Sequence, residues 1–538
     1  MTEAQQPGPT AAETALDAIS SSTLRVFALQ SVLGFVAYAV VLGGPLFFDD
    51  KQFIVWNEHV TSFDVGEIYT SSVTKGVGIQ SNTYRPNQQI IYATLYKFFG
   101  TSPAPYHLVS LAVHVTNALL VFLLLVALSL GRTGSLVASL VFLLHPVQTQ
   151  AVSYVSGLAG PLLLLTLLGS VLCWLKSLEV DNTRERAGYL ALSLVLCIDA
   201  AFTKSNVVII LPVMIVVAAY LVLTGQKKWT PYLTLSVALI GVFALGFMSL
   251  KLTVLNFTGT TGMVEGYNVY TDSLVVRLTT FVSVLHRYLE LIVWPAALSY
   301  SKPKIIYASI LTLHGALGVA IVGAAGFVLV RAKQYPLAFL GCGWFFAALA
   351  PFSGVIPLPS MYLEHWLYTP MVGVVILVAG LYRTLAEERR SGFAIVAIGI
   401  LLLLMVRTGV RNYEWANPER FYLADMKVTG VSMQMLNNLA LYLTEIGETD
   451  KAIKALEALI AATDTSPEPR DNLARIYVDL GEPQKAKTNF LRALEIDAFH
   501  LNALMGLRSL YDSQGEIGEA MKLDQRIRAI EREENLSR

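Results

Sequence analysis

Residues 26–50, VFALQSVLGFVAYAVVLGGPLFFDD, carry no charged side chain until their last two positions, where Asp49 and Asp50 stand side by side. About 20 apolar residues are enough to cross a bilayer, so this stretch predicts a membrane span that ends at two carboxylates. An ionisable side chain beside hydrocarbon is energetically unfavourable, so membrane proteins usually have one there only where it serves a function. The pair is therefore a candidate functional site, and an interfacial cap that ends the span is the alternative.

The same apolar pattern recurs through the first three quarters of the chain and predicts eleven spans. They are 24–48, 106–130, 133–148, 152–177, 187–203, 205–224, 231–251, 305–330, 336–352, 365–383 and 392–410. The stretch 273–298 differs, because Arg277, Arg287 and Glu290 interrupt its apolar residues. Such a stretch is typical of an amphipathic helix that lies along the membrane surface.

The composition agrees with a membrane protein. Of 538 residues, 54% are hydrophobic and only 14% are charged, against about 25% charged in soluble domains. The formal net charge is zero, which argues against nucleic acid as a partner. The three cysteines (Cys173, Cys197 and Cys342) lie in apolar stretches and predict no disulfide framework.

Basic residues beside the spans predict the orientation. An amino terminus in the cytoplasm places the basic groups at 132, 176–186, 227–228, 331–333 and 383–390 inside. Eleven spans then leave the Asp49-Asp50 pair and the carboxyl-terminal part outside. The first 20 residues lack the apolar run of a cleaved signal peptide. We therefore expect an uncleaved signal anchor and a bacterial inner-membrane location with a periplasmic carboxyl-terminal domain.

A repeat of period 34 follows the spans. Asn438-Leu439-Ala440 returns as Asn472-Leu473-Ala474. Two columns of small residues accompany it, Gly447, Gly481 and Gly515 in one and Ala452, Ala486 and Ala520 in the other. Paired helices with small residues at their crossings and Gly in the turn are the tetratricopeptide pattern. About three repeats are predicted, which is close to the minimum for a stable solenoid.

The predicted organisation is thus all-α. A cytoplasmic tail (1–23) precedes a transmembrane domain (24–412) with a long external loop (49–105), and a linker (413–430) leads to the repeat domain (431–538). A tetratricopeptide solenoid offers a concave face to an extended peptide, although the sequence does not identify the binding residues. A packing or dimerisation module is the alternative.

Several polar residues fall at predicted external ends of spans, so they could converge on one cavity. They are His107, His145, Lys204, Glu364, His365 and Arg411, and the long external loop adds Tyr84 and Arg85. Arg85 could pair with a phosphate or with an Asp. A lone histidine in such a place is more often a bonded core residue than a metal ligand. The chain has no Walker loop, dinucleotide fingerprint, GxSxG or HExxH motif. An external site without nucleotide motifs indicates a donor that is already activated and delivered in the membrane, as lipid-linked sugars are.

The order of these motifs resembles the transmembrane and tetratricopeptide-repeat O-mannosyltransferase family, within the GT-C superfamily of glycosyltransferases. The matching segments are Phe48-Asp49-Asp50, Tyr84-Arg85-Pro86, Tyr106-His107-Leu108-Val109, 144–149, 351–368 and Arg411-Asn412. The resemblance implies a GT-C-like bundle that moves a sugar, mannose in this family, from a polyprenyl phosphate to Ser or Thr of an exported protein. Membrane lipid, the lipid-linked donor and a peptide acceptor are the partners it implies.

The resemblance also implies roles. Asp49 or Asp50 would act as general base toward the acceptor hydroxyl. The candidate ligands of the donor phosphate are Arg85, Lys204, His365 and Arg411. The expected supporting residues are Glu364, His145, His107 and Tyr84. The two carboxylates could also hold one divalent cation, although the resemblance requires neither a metal nor another cofactor.

The sequence departs from the family at several charged positions. Gln150 stands where Glu is usual, Leu158 and Gly160 stand where an Arg and a polar residue are common, and His365 replaces Arg. Fewer charges around the donor keep two alternatives open. One is a transferase of the same donor class that acts on a glycan or lipid. The other is a non-catalytic membrane scaffold whose repeats recruit envelope-assembly partners.

Overall fold

The computed structural model describes residues 10–78, 81, 83–253, 270, 272–303, 305–358 and 360–536. Every regular element in these ranges is helical, which confirms the all-α prediction. The chain forms two compact units, Met1–Ala416 and Asn417–Arg538.

Each predicted span coincides with an apolar helix in the first unit. Among the described residues, seven helices are long and apolar enough to cross a membrane: Thr23–Gly43, Pro103–Ala127, Val155–Glu179, Thr183–Thr203, Ser205–Leu223, Leu313–Val330 and Glu387–Trp415. An eighth span is a pair of helices, Arg132–Leu144 and Pro146–Val152, that meet at a 48° bend. Pro146 explains the bend because proline has no backbone N–H to continue the helical hydrogen bonds. Shorter apolar helices match the remaining three predictions: Pro231–Phe247, Pro336–Phe352 and Met371–Thr384.

The segments that join these helices gather at two ends of the bundle. One end, the amino-terminal end, holds the contacts Thr10 N to Ser391 Oγ (3.2 Å) and Arg132 Nε to Ser20 O (2.5 Å). The other end, called here the site end, holds Ser156 N to Asp50 Oδ1 (2.8 Å) and His365 N to Gln150 Oε1 (2.9 Å). The alternation predicted from the sequence assigns each of these two sets of residues to one side of the membrane.

Helix Leu274–Val293 has both of its ends at the site end. Near its start, Arg277 Nε donates to Gly354 O at 2.7 Å. Near its finish, Ile292 O accepts from His145 Nε2 at 2.9 Å. Both partners lie in segments that the alternation places on one side, so the contacts favour a helix that lies along the surface.

Cysteine labelling tests this placement. Val275→Cys and Ala297→Cys, in a chain whose three native cysteines are replaced by Ala, should both react with an impermeant maleimide from the same side of sealed vesicles. Lys333→Cys, in the segment between helices Leu313–Val330 and Pro336–Leu349, should react only from the opposite side. Labelling of positions 275 and 297 from opposite sides would show that the helix crosses the membrane.

The second unit confirms the tetratricopeptide prediction. Its helices are Pro418–Thr429, Met433–Glu445, Thr449–Ala462, Glu468–Asp479, Pro483–Ile496, Leu501–Ser513 and Ile517–Leu536. The three column glycines adopt φ of +79°, +69° and +75°, a left-handed conformation that glycine adopts without strain. The column alanines are buried where the paired helices cross. Helix Pro418–Thr429 lies within the stretch predicted as a linker and packs on Met433–Glu445.

Candidate functional site

The chain leaves its first span through an unusual turn. Phe48 has φ of +58°, which bulky residues rarely adopt. A single π-helical turn, Lys51–Val55, follows Asp49 and Asp50. Strained residues and π-helical turns both concentrate at functional sites. Here the strained Phe48 and the π-helical turn place the Asp49 and Asp50 carboxylates in different environments.

Asp50 is buried, and protein groups donate hydrogen bonds to both of its carboxylate oxygens. Its Oδ1 accepts from Ser156 N at 2.8 Å and from Ser156 Oγ at 2.5 Å, and its Oδ2 accepts from Phe47 N at 3.4 Å. Burial raises the pKa of Asp50 to about 7, against the opposing effect of these donors. This carboxyl therefore ties the end of the first span to the segment before helix Ala159–Glu179.

Asp49 remains partly exposed. Burial raises its pKa, while the Tyr154 hydroxyl and the positive charge of Arg85 lower it. No backbone N–H in the described part of the chain donates to Asp49. Asp49 is thus the member of the pair that can accept a proton from a bound molecule.

Three basic side chains from three separate segments interact with one another, and one of them, Arg85, also interacts with Asp49. Arg85 immediately precedes helix Pro86–Phe99, Lys204 separates two spans, and His365 lies in the short helix Glu364–Leu367. Burial lowers the pKa of Lys204 to about 7, and the charge of Arg85 contributes. Burial together with the charges of Lys204 and Arg85 also holds the pKa of His365 well below its usual value. We call these three residues the basic cluster.

The opposite charge that acts on Arg85 is that of Asp49, while burial and the neighbouring charge of Arg85 disfavour the cationic forms of Lys204 and His365. Like charges that are brought together and partly desolvated destabilise one another. An anionic ligand would reverse that cost, because charge-assisted hydrogen bonds to phosphate are among the strong ones in proteins. The arrangement is therefore suited to a phosphate that lies beside a carboxylate base.

Aromatic rings form a wall next to this carboxylate. The Phe48 ring lies 4.9 Å from that of Tyr300, and Tyr154 lies 5.5 Å from Tyr300, all measured between centroids. Trp415 stacks on Tyr154 at 5.6 Å. Offset and edge-to-face contacts of this kind are favourable. The wall fixes Phe48 and therefore the direction of the residue that follows it.

Glu364 has a partner that sequence analysis missed. Its Oε1 accepts from Lys302 Nζ at 2.6 Å and from Ser299 N at 2.6 Å. The charge of Glu364 is therefore paired with Lys302, and its supporting role stays a prediction. Lys302 lies in an irregular segment without periodicity, so no sequence pattern marked it.

Arg411 does not share the environment of the basic cluster. Its Nη1 pairs with Glu414 Oε2 at 2.6 Å, and its guanidinium lies 5.5 Å from the Trp415 ring centroid. Because Glu414 already balances this charge, the structure argues against Arg411 as a phosphate ligand.

Two of the three remaining predicted residues, His145 and Tyr84, have hydrogen-bond partners within the protein. His145 donates from Nε2 to Ile292 O and accepts at Nδ1 from Val147 N at 3.2 Å. The Tyr84 hydroxyl donates to Tyr69 O at 2.8 Å. His107 is buried in helix Pro103–Ala127. These residues support the fold around the site.

The paired aspartates fit a divalent cation poorly. Protein donors already occupy both oxygens of Asp50, which leaves one carboxylate rather than two. Among the described residues, no group of three His, Cys, Asp or Glu side chains is placed to hold a metal ion.

Comparisons with known proteins cover most of the chain. Residues 468–500 match the family described as tetratricopeptide repeat. The chain is 24% identical over 460 residues to protein O-mannosyl-transferase F38B6.6 of Caenorhabditis elegans, covering 81% of this chain and 62% of that protein. It is also 24% identical over 498 residues to protein O-mannosyl-transferase TMTC4 of Mus musculus, covering 82% and 67%. The predicted resemblance is confirmed, and the chain spans about 62% of the length of its nematode relative.

Two solved structures are distantly similar. A crystal structure of ArnT from Cupriavidus metallidurans bound to undecaprenyl phosphate matches with a TM-score of 0.42 and 14% identity, over 87% of this chain and 79% of that one. The Archaeoglobus fulgidus oligosaccharyltransferase in its apo form matches with a TM-score of 0.38 and 11% identity, over 80% and 59%.

The raised pKa of Asp50 predicts a pH-dependent stability. A carboxyl with a pKa of about 7 when folded and about 4 when unfolded binds more protons in the folded state. Its contribution therefore weakens as pH rises through this window. The Tm of the native chain should fall relative to that of Asp50→Asn between about pH 4 and pH 7.

Thermal unfolding in detergent measures this difference. Glu58→Gln removes an exposed carboxylate from the same loop and should follow the native chain at every pH. A difference between native and Asp50→Asn that stays constant with pH would contradict the account.

Proposed function

We propose that the protein is a membrane glycosyltransferase that moves a sugar, mannose, from a polyprenyl-phosphate donor to Ser or Thr of an exported protein. The observation that carries this proposal is the meeting of Asp49 with the basic cluster at the site end. The similarity to protein O-mannosyl-transferases over 81% of the chain supports it. The reaction would take place on the external face of a bacterial inner membrane.

Asp49 is the proposed base. It accepts the proton of the acceptor hydroxyl while that oxygen forms a bond to the anomeric carbon of the sugar. The bond between this carbon and the phosphate oxygen breaks, and the phosphate leaves with the electron pair, so the configuration inverts. A carboxylate whose pKa is raised by burial is a better base than one in water.

The basic cluster stabilises the departing phosphate. Charge builds up on the phosphate oxygens as the bond to the sugar breaks, and cations placed there in advance stabilise that charge most in the transition state. Arg85 suits this task because its planar fork can bind two phosphate oxygens at once. The polyprenyl tail would remain in the hydrocarbon between spans.

The tetratricopeptide unit is proposed to hold the acceptor protein. Tethering a peptide on the same chain as the site raises its effective concentration without any new contact at the reacting atoms. A transferase that uses a glycan or lipid acceptor would not need this unit, which is why a protein acceptor is preferred.

A non-catalytic scaffold is the second candidate. Gln150 is buried and its Oε1 accepts from His365 N at 2.9 Å, so a neutral amide occupies a position where the family usually has a carboxylate. Leu158, where an Arg is common, is buried among apolar residues. A chain with these changes could keep an anion site and lose transfer.

Substitution of the base separates the two candidates. Asp49→Asn should lower transfer of labelled mannose from polyprenyl phosphate to protein by at least about 100-fold, since general-base catalysis is worth roughly 10²–10⁴. Asp64→Asn, an exposed aspartate of the same loop, should transfer at the native rate. A folded native chain that labels no protein with this donor would favour the scaffold.

Binding of undecaprenyl phosphate tests the basic cluster without catalysis. Burial lowers the pKa of Lys204 to about 7, so Lys204 loses its charge as pH rises above 7. The phosphate gains its second negative charge over a similar range, so the affinity of the native chain is compared with that of Lys204→Met at each pH, and this ratio should fall from pH 6 to pH 8. Lys204→Met should weaken binding roughly tenfold or more at pH 6. Lys97→Met, at an exposed site on helix Pro86–Phe99, is the control. Equal affinities for Lys204→Met and the control would contradict a phosphate role.

A further inference from the structure

The segment between helices Leu274–Val293 and Leu313–Val330 contains a turn, Ser299–Lys302, that is held by buried contacts. Lys302 Nζ pairs with Glu364 Oε1 at 2.6 Å and donates to Ser299 Oγ at 2.9 Å. Ser299 N donates to the same Glu364 oxygen at 2.6 Å. Both charged side chains are almost fully buried, at 3% and 0% exposure.

A buried ion pair is weak evidence for stability. Removing two charges from water costs several kcal/mol per ion, and apolar residues of similar size often stabilise a fold as well or better. A pair with good geometry nonetheless fixes direction, because each partner must stay where its counter-charge is. We therefore attribute the Lys302–Glu364 pair to the positioning of neighbouring residues rather than to the stability of the fold.

One end of the turn reaches the carboxylate side of the site. Tyr300 lies between Ser299 and Lys302 in sequence, and its ring packs edge-on against Phe48 at 4.9 Å. Phe48 immediately precedes Asp49 and holds the strained φ of +58°. A displaced Tyr300 would leave this strained residue without one of its aromatic neighbours.

The other end of the turn reaches the phosphate side. Glu364 begins the short helix Glu364–Leu367, and the next residue is His365 of the basic cluster. The backbone of His365 is fixed separately by Gln150 at 2.9 Å. The turn thus contacts both the residue before Asp49 and the residue before His365.

We propose that Ser299–Lys302 is a positioning element of the transferase and that Lys302 is its positioning residue. The turn holds the base and the basic cluster at the spacing that transfer requires, and this rests on the proposed function. Lys302 does not touch the reacting atoms and acts through Tyr300 and Glu364. A misplacement of about 1 Å can cost roughly 100-fold in rate.

Substitutions of Lys302 test this role against a matched pair. Lys302→Met keeps the length of the side chain and removes its charge, and Lys302→Arg restores the charge. Lys75→Met removes the same charge from an exposed pair with Glu67, at 2.8 Å, in the first external loop. Tyr300→Ala breaks the aromatic end of the turn and leaves the ion pair in place.

Substitutions in the turn should lower turnover and leave donor binding nearly unchanged. Per molecule that binds undecaprenyl phosphate, Lys302→Met and Tyr300→Ala should each lower the rate of mannose transfer about 10–100-fold, while the KM for the donor changes less than about threefold. Lys302→Arg should recover most of the rate, and Lys75→Met should match the native chain. A rate within twofold of native for Lys302→Met would overturn the positioning role while leaving the transferase intact.

Hydrogen exchange gives a readout that does not depend on transfer. Lys302→Met should speed amide exchange in residues 46–52 and 364–367 of the full chain, and Lys75→Met should not. Unchanged exchange in both segments would overturn the inference even if the native chain proves inactive. Faster exchange in an inactive native chain would keep the element and reject only the proposed transfer.

Discussion

The burial of basic side chains at the site end is the constraint on which the rest of the site depends. Arg85, Lys204 and His365 come from parts of the chain far apart in sequence, and burial together with their mutual repulsion depresses the pKa values of Lys204 and His365. A fold keeps such an arrangement at a cost in stability unless a ligand removes it. A bound phosphate would offset this cost, and under the proposed function Asp49 would act as the base beside that phosphate.

The fold followed from the sequence because its signals are long or repeated. Apolar stretches of spanning length need no tertiary information, and each coincides with an apolar helix. The repeat of period 34 was equally clear, since Gly481 and its column counterparts occur where a left-handed backbone requires them. The boundary between the units was less predictable. Helix Pro418–Thr429 lacks a strong apolar pattern of its own and is held by packing on its neighbour.

The site was only partly predictable. Sequence order suggested the residues but gave no basis for choosing between two adjacent aspartates. Hydrogen bonds to Asp50 from Ser156, more than a hundred residues away, distinguish them. Likewise, the sequence offered no reason to treat Arg411 differently from the residues of the basic cluster. The ion pair between Arg411 and Glu414, seen in the structure, distinguishes it from them. Lys302 had no sequence signal, because its importance comes from a tertiary contact with Glu364.

The central claim is that the basic cluster holds the phosphate of a lipid-linked donor next to Asp49. The most direct measurement is a cryo-electron microscopy structure of the full chain in nanodiscs with undecaprenyl phosphate. The account predicts phosphate density within hydrogen-bonding distance of Arg85 and Lys204, with the phosphate on the same side of the aromatic wall as Asp49. Phosphate bound elsewhere, such as beside Arg407 and Arg411, with the basic cluster empty, would contradict it.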